Sequence, residues 1–153
     1  MEAYDLTVIG SGPGGYVAAI RAAQLGMRVA VVERDKLGGV CLNWGCIPTK
    51  AMLRAAEVLE TSLHADRFGI KVTGAELDLN KMHRYKDKTV KSNNKGIEYL
   101  FKKNGITVLA GRGRLAGRGR VEVTPAEGEP FNVGTRHALL ATGSPSFQPW
   151  RWK

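Results

Sequence analysis

Cysteine, histidine, acidic and aromatic residues are all scarce in this 153-residue chain, and each scarcity narrows what the chain can do. Two cysteines, Cys41 and Cys46, are too few for a disulfide scaffold. The three histidines, His64, His83 and His137, are scattered without ligand spacing, so the thiols lack companions for a zinc site and no metal is expected. No apolar run is long enough to span a membrane. The start, Met1 to Asp5, carries acidic side chains and no basic stretch, so a signal peptide is not expected and the cytoplasm is the expected location. Acidic residues number 14 against 23 lysines and arginines, a net charge of +9. Much of that excess lies between Arg84 and Arg120. One reading is a nucleic-acid surface, but the basic residues are not interleaved with a row of aromatic rings as a stacking platform would need. A solvated helix face followed by a hairpin is the favoured reading, with a non-catalytic basic binding module as the alternative.

Hydrophobic residues make up 43% of the chain and glycine is plentiful, which fits one soluble domain with a core of its own. Residues 4–9 read as a buried strand, 14–25 as an Ala-rich helix stopped by Gly26, and 28–33 as a second strand. This is a βαβ unit, which implies a parallel sheet. Residues 37–45 read as a Gly-rich loop, and 49–63 have helical spacing through Leu53, Ala56, Val58, Leu59 and Leu63. Residues 68–72 read as a short strand or turn. Residues 79–103 read as a long polar helix with Met82, Val90, Ile97, Leu100 and Phe101 inward, closed by Asn104-Gly105, and 106–109 as a strand. Beyond Gly111 the spacing predicts short strands at 113–115, 120–123, 131–133 and 137–140, forming a small antiparallel layer beside the parallel sheet. The expected class is therefore α/β. Residues 1–144 form the domain and 145–153 an irregular tail.

The first strand leads into Gly10-Ser-Gly12-Pro-Gly-Gly15, which opens the first helix, and the second strand ends on Glu33. Alone, a GxGxxG turn is a weak signal; in this context it is a dinucleotide fingerprint of Rossmann type. Gly10 permits the tight turn, Gly12 lets the backbone approach a pyrophosphate, and Gly15 lets helix and sheet pack closely. The helix N-terminus offers free N–H groups and partial positive charge. Glu33 can accept from a ribose 2′-OH and would repel a 2′-phosphate. The fingerprint does not distinguish FAD from NAD.

The thiols in Cys41-Leu-Asn-Trp-Gly-Cys46 are five positions apart. In a regular helix such residues diverge too far for a disulfide, which needs a Cα separation of about 4.4–6.8 Å. The chain must bend between them if they are to meet, and Gly45 permits the bend. Pro48 then marks the start of a helix, with Cys46 at or near its N-terminus, where the helix dipole favours an anionic sulfur. This points to disulfide exchange, with inert buried thiols as the bland alternative.

The run Leu37-Gly-Gly-Val-Cys41-Leu-Asn-Trp-Gly-Cys46-Ile-Pro-Thr-Lys50 resembles the signature of the class I pyridine nucleotide-disulfide oxidoreductases. Within that family Leu42, Asn43, Ile47 and Thr49 favour dihydrolipoamide dehydrogenases over glutathione- or mercuric-reductase-like enzymes, and Lys95 to Asn104 is also similar to the former. The similarity runs from residue 3 to about 144.

The resemblance implies a Rossmann-like FAD-binding domain. FAD would lie on Gly10, Gly12, Pro13, Gly14 and Gly15, on Gly38, Gly39 and Val40, with Glu33 at the adenosine ribose. Cys41 would be the interchange thiol toward dihydrolipoamide, Cys46 would face the flavin, and Lys50 would stand near the flavin ring. Gly113 falls where the family meets the adenine end through its backbone, and Ala141, Thr142 and Gly143 resemble a second FAD motif. The activity implied is reoxidation of dihydrolipoamide by NAD through a Cys41–Cys46 disulfide, the dihydrolipoamide being borne on a carrier domain of a 2-oxo acid dehydrogenase or glycine cleavage complex. The family's enzymes are homodimers of a much longer chain, with an NAD domain and an interface domain that supplies an acid–base histidine from the partner. A chain of this length is therefore expected to hold an incomplete FAD domain and to lack full catalytic competence alone.

Overall fold

The computed structural model describes residues 2–144; the tail at 145–153 lies outside the described residues. Strand β1 (Ala3–Ile9) is followed by helix α1 (Pro13–Gln24) and strand β2 (Val29–Glu33). Then come the short helix α2 (Gly39–Asn43), helix α3 (Cys46–Leu63), a single 3-10 turn (Ala65–Phe68) and the long helix α4 (Leu79–Lys103). Strands β3 (Thr107–Ala110), β4 (Arg112–Leu115), β5 (Arg120–Thr124) and β6 (Phe131–Leu140) complete the order. They form one six-stranded sheet, β3-β2-β1-β6-β5-β4. The first four of that order run parallel, and β5 and β4 continue antiparallel. The α/β architecture with an antiparallel portion is thus as the sequence implies.

Strand β2 shows why the sheet sits at the centre. Successive side chains of a strand point to opposite faces. Val29 and Val31 accordingly join a core with Val8 of β1, Ala19 and Ala22 of α1, Leu42 of α2 and Ile97 and Phe101 of α4. Ala30 and Val32 join a second core with Ile9, Val121, Val123 and Val133. Both faces are covered, so β2 reads as an unbroken apolar run, as a buried parallel strand must. The second core means that the antiparallel strands curl over the parallel part. Gly113 of β4 marks the crossing, because a Cβ there would lie 2.9 Å from Ile9 Cγ2 and 3.2 Å from Val32 Cγ1.

Several local expectations are corrected. Residues 37–45 are not a plain loop, since Gly38 takes φ 90° and caps the short helix α2. Helix α3 begins at Cys46, three residues before its periodic stretch. Of α3 only Ala51 is buried, and its half-covered side runs on through Ala55, Leu59 and Ser62, whereas Leu53, Ala56, Val58 and Leu63 of the expected spacing are exposed. In α4 Ile97 and Phe101 are buried as expected, but Leu100 points outward. Of the two readings of 68–72 the structure takes the turn, at Gly69 (φ 74°). The two strands expected at 131–133 and 137–140 are one. Gly134 is its pivot: it is opposite Arg120 of β5 and also opposite Ala3 of β1, so β6 changes partner there without breaking.

Candidate functional site

The sheet order fixes where a ligand can enter. Strand β1 has β2 on one side and β6 on the other, so connections leave its C-terminal end in different directions. Crevices in open α/β sheets form at such switch points, beyond the carboxyl ends of the strands. Here that point is the Gly10–Gly15 turn. A Cβ on Gly10 (φ 99°) would lie 2.3 Å from the Ala141 carbonyl oxygen, and the Ala141 amide donates to the Ile9 carbonyl at 2.9 Å. The sequence stretches around Gly10 and Ala141–Gly143, 131 positions apart at their first residues, are therefore one structure.

Each glycine of the turn has a different neighbour. A Cβ on Gly15 would lie 1.9 Å from the Gly10 carbonyl oxygen, which is the helix–strand approach expected of it. A Cβ on Gly12 or Gly14 would meet nothing within 4 Å. Open space therefore lies in front of α1, whose N-terminus has Pro13 in its first turn and no side-chain cap. That is the space and polarity a pyrophosphate needs. Gly39 (φ 59°) borders it, since its Cβ would lie 2.9 Å from Gly12 Cα. Gly38 and Val40 flank Gly39 at the start of α2, so the beginnings of α1 and α2 meet at this crevice.

Glu33 sits at the end of β2 beside the turn. Its Oε2 accepts from the Ser11 amide at 2.9 Å and the Ser11 hydroxyl at 2.6 Å, and its Oε1 accepts from the Asp35 amide at 3.0 Å. The Ser11 hydroxyl in turn accepts from the Gly38 amide at 3.2 Å. Ser11 is fully buried. This hub, which the sequence does not reveal, locks the fingerprint turn, the Glu33 carboxylate and the start of α2 to one another. No sequence signal separates it from any other variable position of GxGxxG. Gly113 is near the same end of the sheet, and its lack of a side chain is demanded by packing on Ile9 and Val32. The Gly111 amide donates to the Glu33 carbonyl at 2.9 Å, which joins β4 to this corner.

The cysteines meet as the bend at Gly45 predicts. Cys41 lies in α2, Cys46 is the first residue of α3, and Gly45 between them takes φ −117°, ψ −104°. The Trp44 and Gly45 amides both donate to the Val40 carbonyl, at 2.9 and 2.7 Å, and so turn the chain back. Both cysteines are thiols, Cys46 exposed and Cys41 partly covered. Cys46 is the largest influence on the Cys41 thiol and holds its pKa above the ordinary thiol value, with burial acting the same way. The Lys50 cation, one turn along α3, opposes them, the smallest of the influences on Cys41. A cleft of about 760 Å³ opens elsewhere, between residues 35–37, Trp44 and the Lys86–Glu98 stretch of α4; it is lined by Asn43 and Asn94 but by neither thiol.

The arginines of the 111–120 stretch lie on β4 (Arg112, Arg114), in the turn (Arg118) and at the start of β5 (Arg120), and Arg114 pairs with Glu122 through contacts of 2.8 to 3.1 Å. No helix of the described residues is long and apolar enough to cross a membrane.

A parallel sheet with a glycine turn at its switch point, and a thiol pair one short helix away, is an α/β fold of the dinucleotide-binding type. Residues 4–151 match the sequence pattern of the pyridine nucleotide-disulphide oxidoreductases, and the chain belongs to that family. It is 50% identical over 145 residues to the mitochondrial dihydrolipoyl dehydrogenase of Dictyostelium discoideum, a match covering 94% of this chain and 30% of that protein. It is 48% identical over 147 residues to dihydrolipoyl dehydrogenase 3 of Pseudomonas aeruginosa, covering 94% and 31%. The dihydrolipoyl dehydrogenase of Bacillus subtilis is 44% identical over 149 residues, covering 92% and 31%. The chain thus spans about three tenths of the length of these curated relatives.

Proposed function

We propose that this chain is the FAD- and disulfide-bearing segment of a dihydrolipoyl dehydrogenase. The observation that carries the reading is the meeting of Cys41 with Cys46 one short helix from the Gly12 turn, with Lys50 beside them. Gly10, Gly12, Pro13, Gly14 and Gly15 fit the cofactor's pyrophosphate from α1, and Gly38, Gly39 and Val40 fit it from α2. Glu33 keeps free acceptor capacity for the ribose beyond the bonds it makes to Ser11 and Asp35. FAD, when bound, supplies a two-electron acceptor for the thiol pair.

In the oxidised form of the pair a dihydrolipoamide thiolate attacks the Cys41 sulfur and the Cys41–Cys46 bond breaks. The second dihydrolipoamide thiol then displaces Cys41, leaving lipoamide disulfide and two protein thiols. Two electrons and two protons have passed to the pair. Lys50 stabilises negative charge beside it. Onward transfer to NAD, the carrier-domain partner in a 2-oxo acid dehydrogenase or glycine cleavage complex, and the homodimer are assigned to the whole protein. We place it in the cytoplasm, a setting whose reducing poise suits an exchange pair.

The test is reduction of the oxidised chain by one equivalent of dihydrolipoamide, with thiols counted afterwards. Appearance of two thiols per chain with equimolar lipoamide supports the reading. Resistance to dihydrolipoamide with ready reduction by glutathione at the same potential would assign a different thiol substrate.

A further inference from the structure

The short helix that carries Cys41 is held from a distant part of the chain. Asn43, at its C-terminal end, donates from Nδ2 to the Leu37 carbonyl at 3.0 Å and to the Gly39 carbonyl at 2.9 Å. Both amide hydrogens are therefore spent on α2 and the residue leading to it, and the orientation of the amide is fixed by that network. Asn43 Oδ1 must face away, where it can only accept. Asn94 of α4 meets it, donating from Nδ2 at 2.7 Å across 51 positions. Asn94 Oδ1 is left buried without a hydrogen-bond partner among the described residues. The Nδ2 donor is thus the end of the Asn94 amide that has a side-chain partner.

We propose that Asn94 is a positioning residue for the cysteine pair, acting through Asn43 to keep α2, and with it Cys41, against Cys46. The inference rests on the reading of Cys41 and Cys46 as an exchangeable pair. Loss of the Asn94 donor frees α2 to move, which lowers the effective concentration of one thiol toward the other and weakens the disulfide. Asn94→Asp is the sharpest change, because it keeps the shape but sets acceptor against acceptor.

The experiment equilibrates the full 153-residue chain with glutathione buffers of graded ratio and measures the fraction bridged between Cys41 and Cys46 by peptide mapping. Asn94→Asp is expected to lower the equilibrium constant for bridge formation about tenfold, which is about 30 mV for a two-electron couple. Asn94→Ala, which suits a helix and only removes the donor, is expected to lower it about threefold and covers the case in which the Asp variant fails to fold. Both effects should vanish in an Asn43→Ala background, the signature of action through that residue. A bridge that forms in the parent and is unchanged within twofold in both variants overturns the proposal. So does an effect that persists when Asn43 is gone. If the parent itself forms no bridge at any ratio, the reading of the pair has failed, and the positioning role fails with it.

Discussion

Gly12 and Gly15 belong to one motif, but the structure gives them separate duties, and alanine substitution separates these. A Cβ at Gly15 would lie 1.9 Å from the Gly10 carbonyl oxygen and 2.9 Å from its carbon. Both obstacles are backbone, so relief requires the α1–β1 connection to move by more than an ångström. Overpacking of this kind costs about 1–3 kcal/mol, and an unyielding neighbour puts it at the upper end. Alanine recovers about 0.5–1 kcal/mol within a helix, so Gly15→Ala should lose about 2 kcal/mol net. With a urea m-value of about 2 kcal/mol/M, the unfolding midpoint should fall by about 1 M. At Gly12 nothing lies within 4 Å and φ is −63°, so alanine is free of clash and strain. The weaker N-cap costs about 0.5 kcal/mol there, but the new methyl projects into the pyrophosphate space. Gly12→Ala should therefore keep its midpoint within about 0.3 M and lose FAD affinity in the intact protein. Urea unfolding followed by circular dichroism reads both. Equal midpoints for the two variants would refute the assignment of one glycine to the fold and the other to the ligand.

Four further expectations follow from the same structure. Because Cys46 and burial hold the Cys41 thiol above its ordinary pKa, Cys41 should be alkylated by iodoacetamide only at more alkaline pH than a free thiol. Cys46→Ala removes the larger cause and should bring that midpoint down; an unmoved profile contradicts it. The linked stability is present below the ordinary thiol pKa and is lost as pH rises through the raised value, so urea midpoints should decline in alkaline buffer. Ser11→Ala deletes a 2.6 Å bond to a carboxylate at a fully buried position and should cost about 2 kcal/mol in urea unfolding, since hydrogen bonds to charged groups are worth about 1.5–3 kcal/mol. Phe101→Ala empties the largest fully buried side chain of the core beneath α4 and should cost about 3–5 kcal/mol, read as loss of cooperative unfolding.

What the sequence reveals, and what it hides, divides by range. The β1–α1–β2 unit is legible because periodicity, glycine and the acidic stop all act within a few residues. Helix α4 is legible for the same reason, bounded by Asp78, whose side chain accepts from the Lys81 amide, and by Asn104-Gly105. Helix α2 is hidden because it is five residues long and begins behind two glycines with positive φ, which read as a loop. The unity of β6 is hidden because Gly134 looks like a turn, whereas its missing side chain serves a strand that changes partners. The cysteine bend could be argued from Gly45 and Pro48. The Ser11–Glu33–Gly38 hub and the Asn43–Asn94 bond could not, because they join positions 22 to 51 residues apart through groups common on any surface. Helix α3 shows a further boundary: its helical nature is legible, but its covered side runs through Ala51, Ala55 and Leu59 rather than through Leu53, Ala56, Val58 and Leu63, because apolar residues occur all round it.

Two thiols that meet beside a glycine turn are the centre of the proposed chemistry. The most direct measurement is a peptide map of the chain after equilibration with oxidised glutathione. A single intramolecular bridge between Cys41 and Cys46, reversed to two thiols by dihydrolipoamide, is the predicted result. Cysteines that stay as thiols, or that end in mixed disulfides with glutathione or bridges between chains, would contradict it.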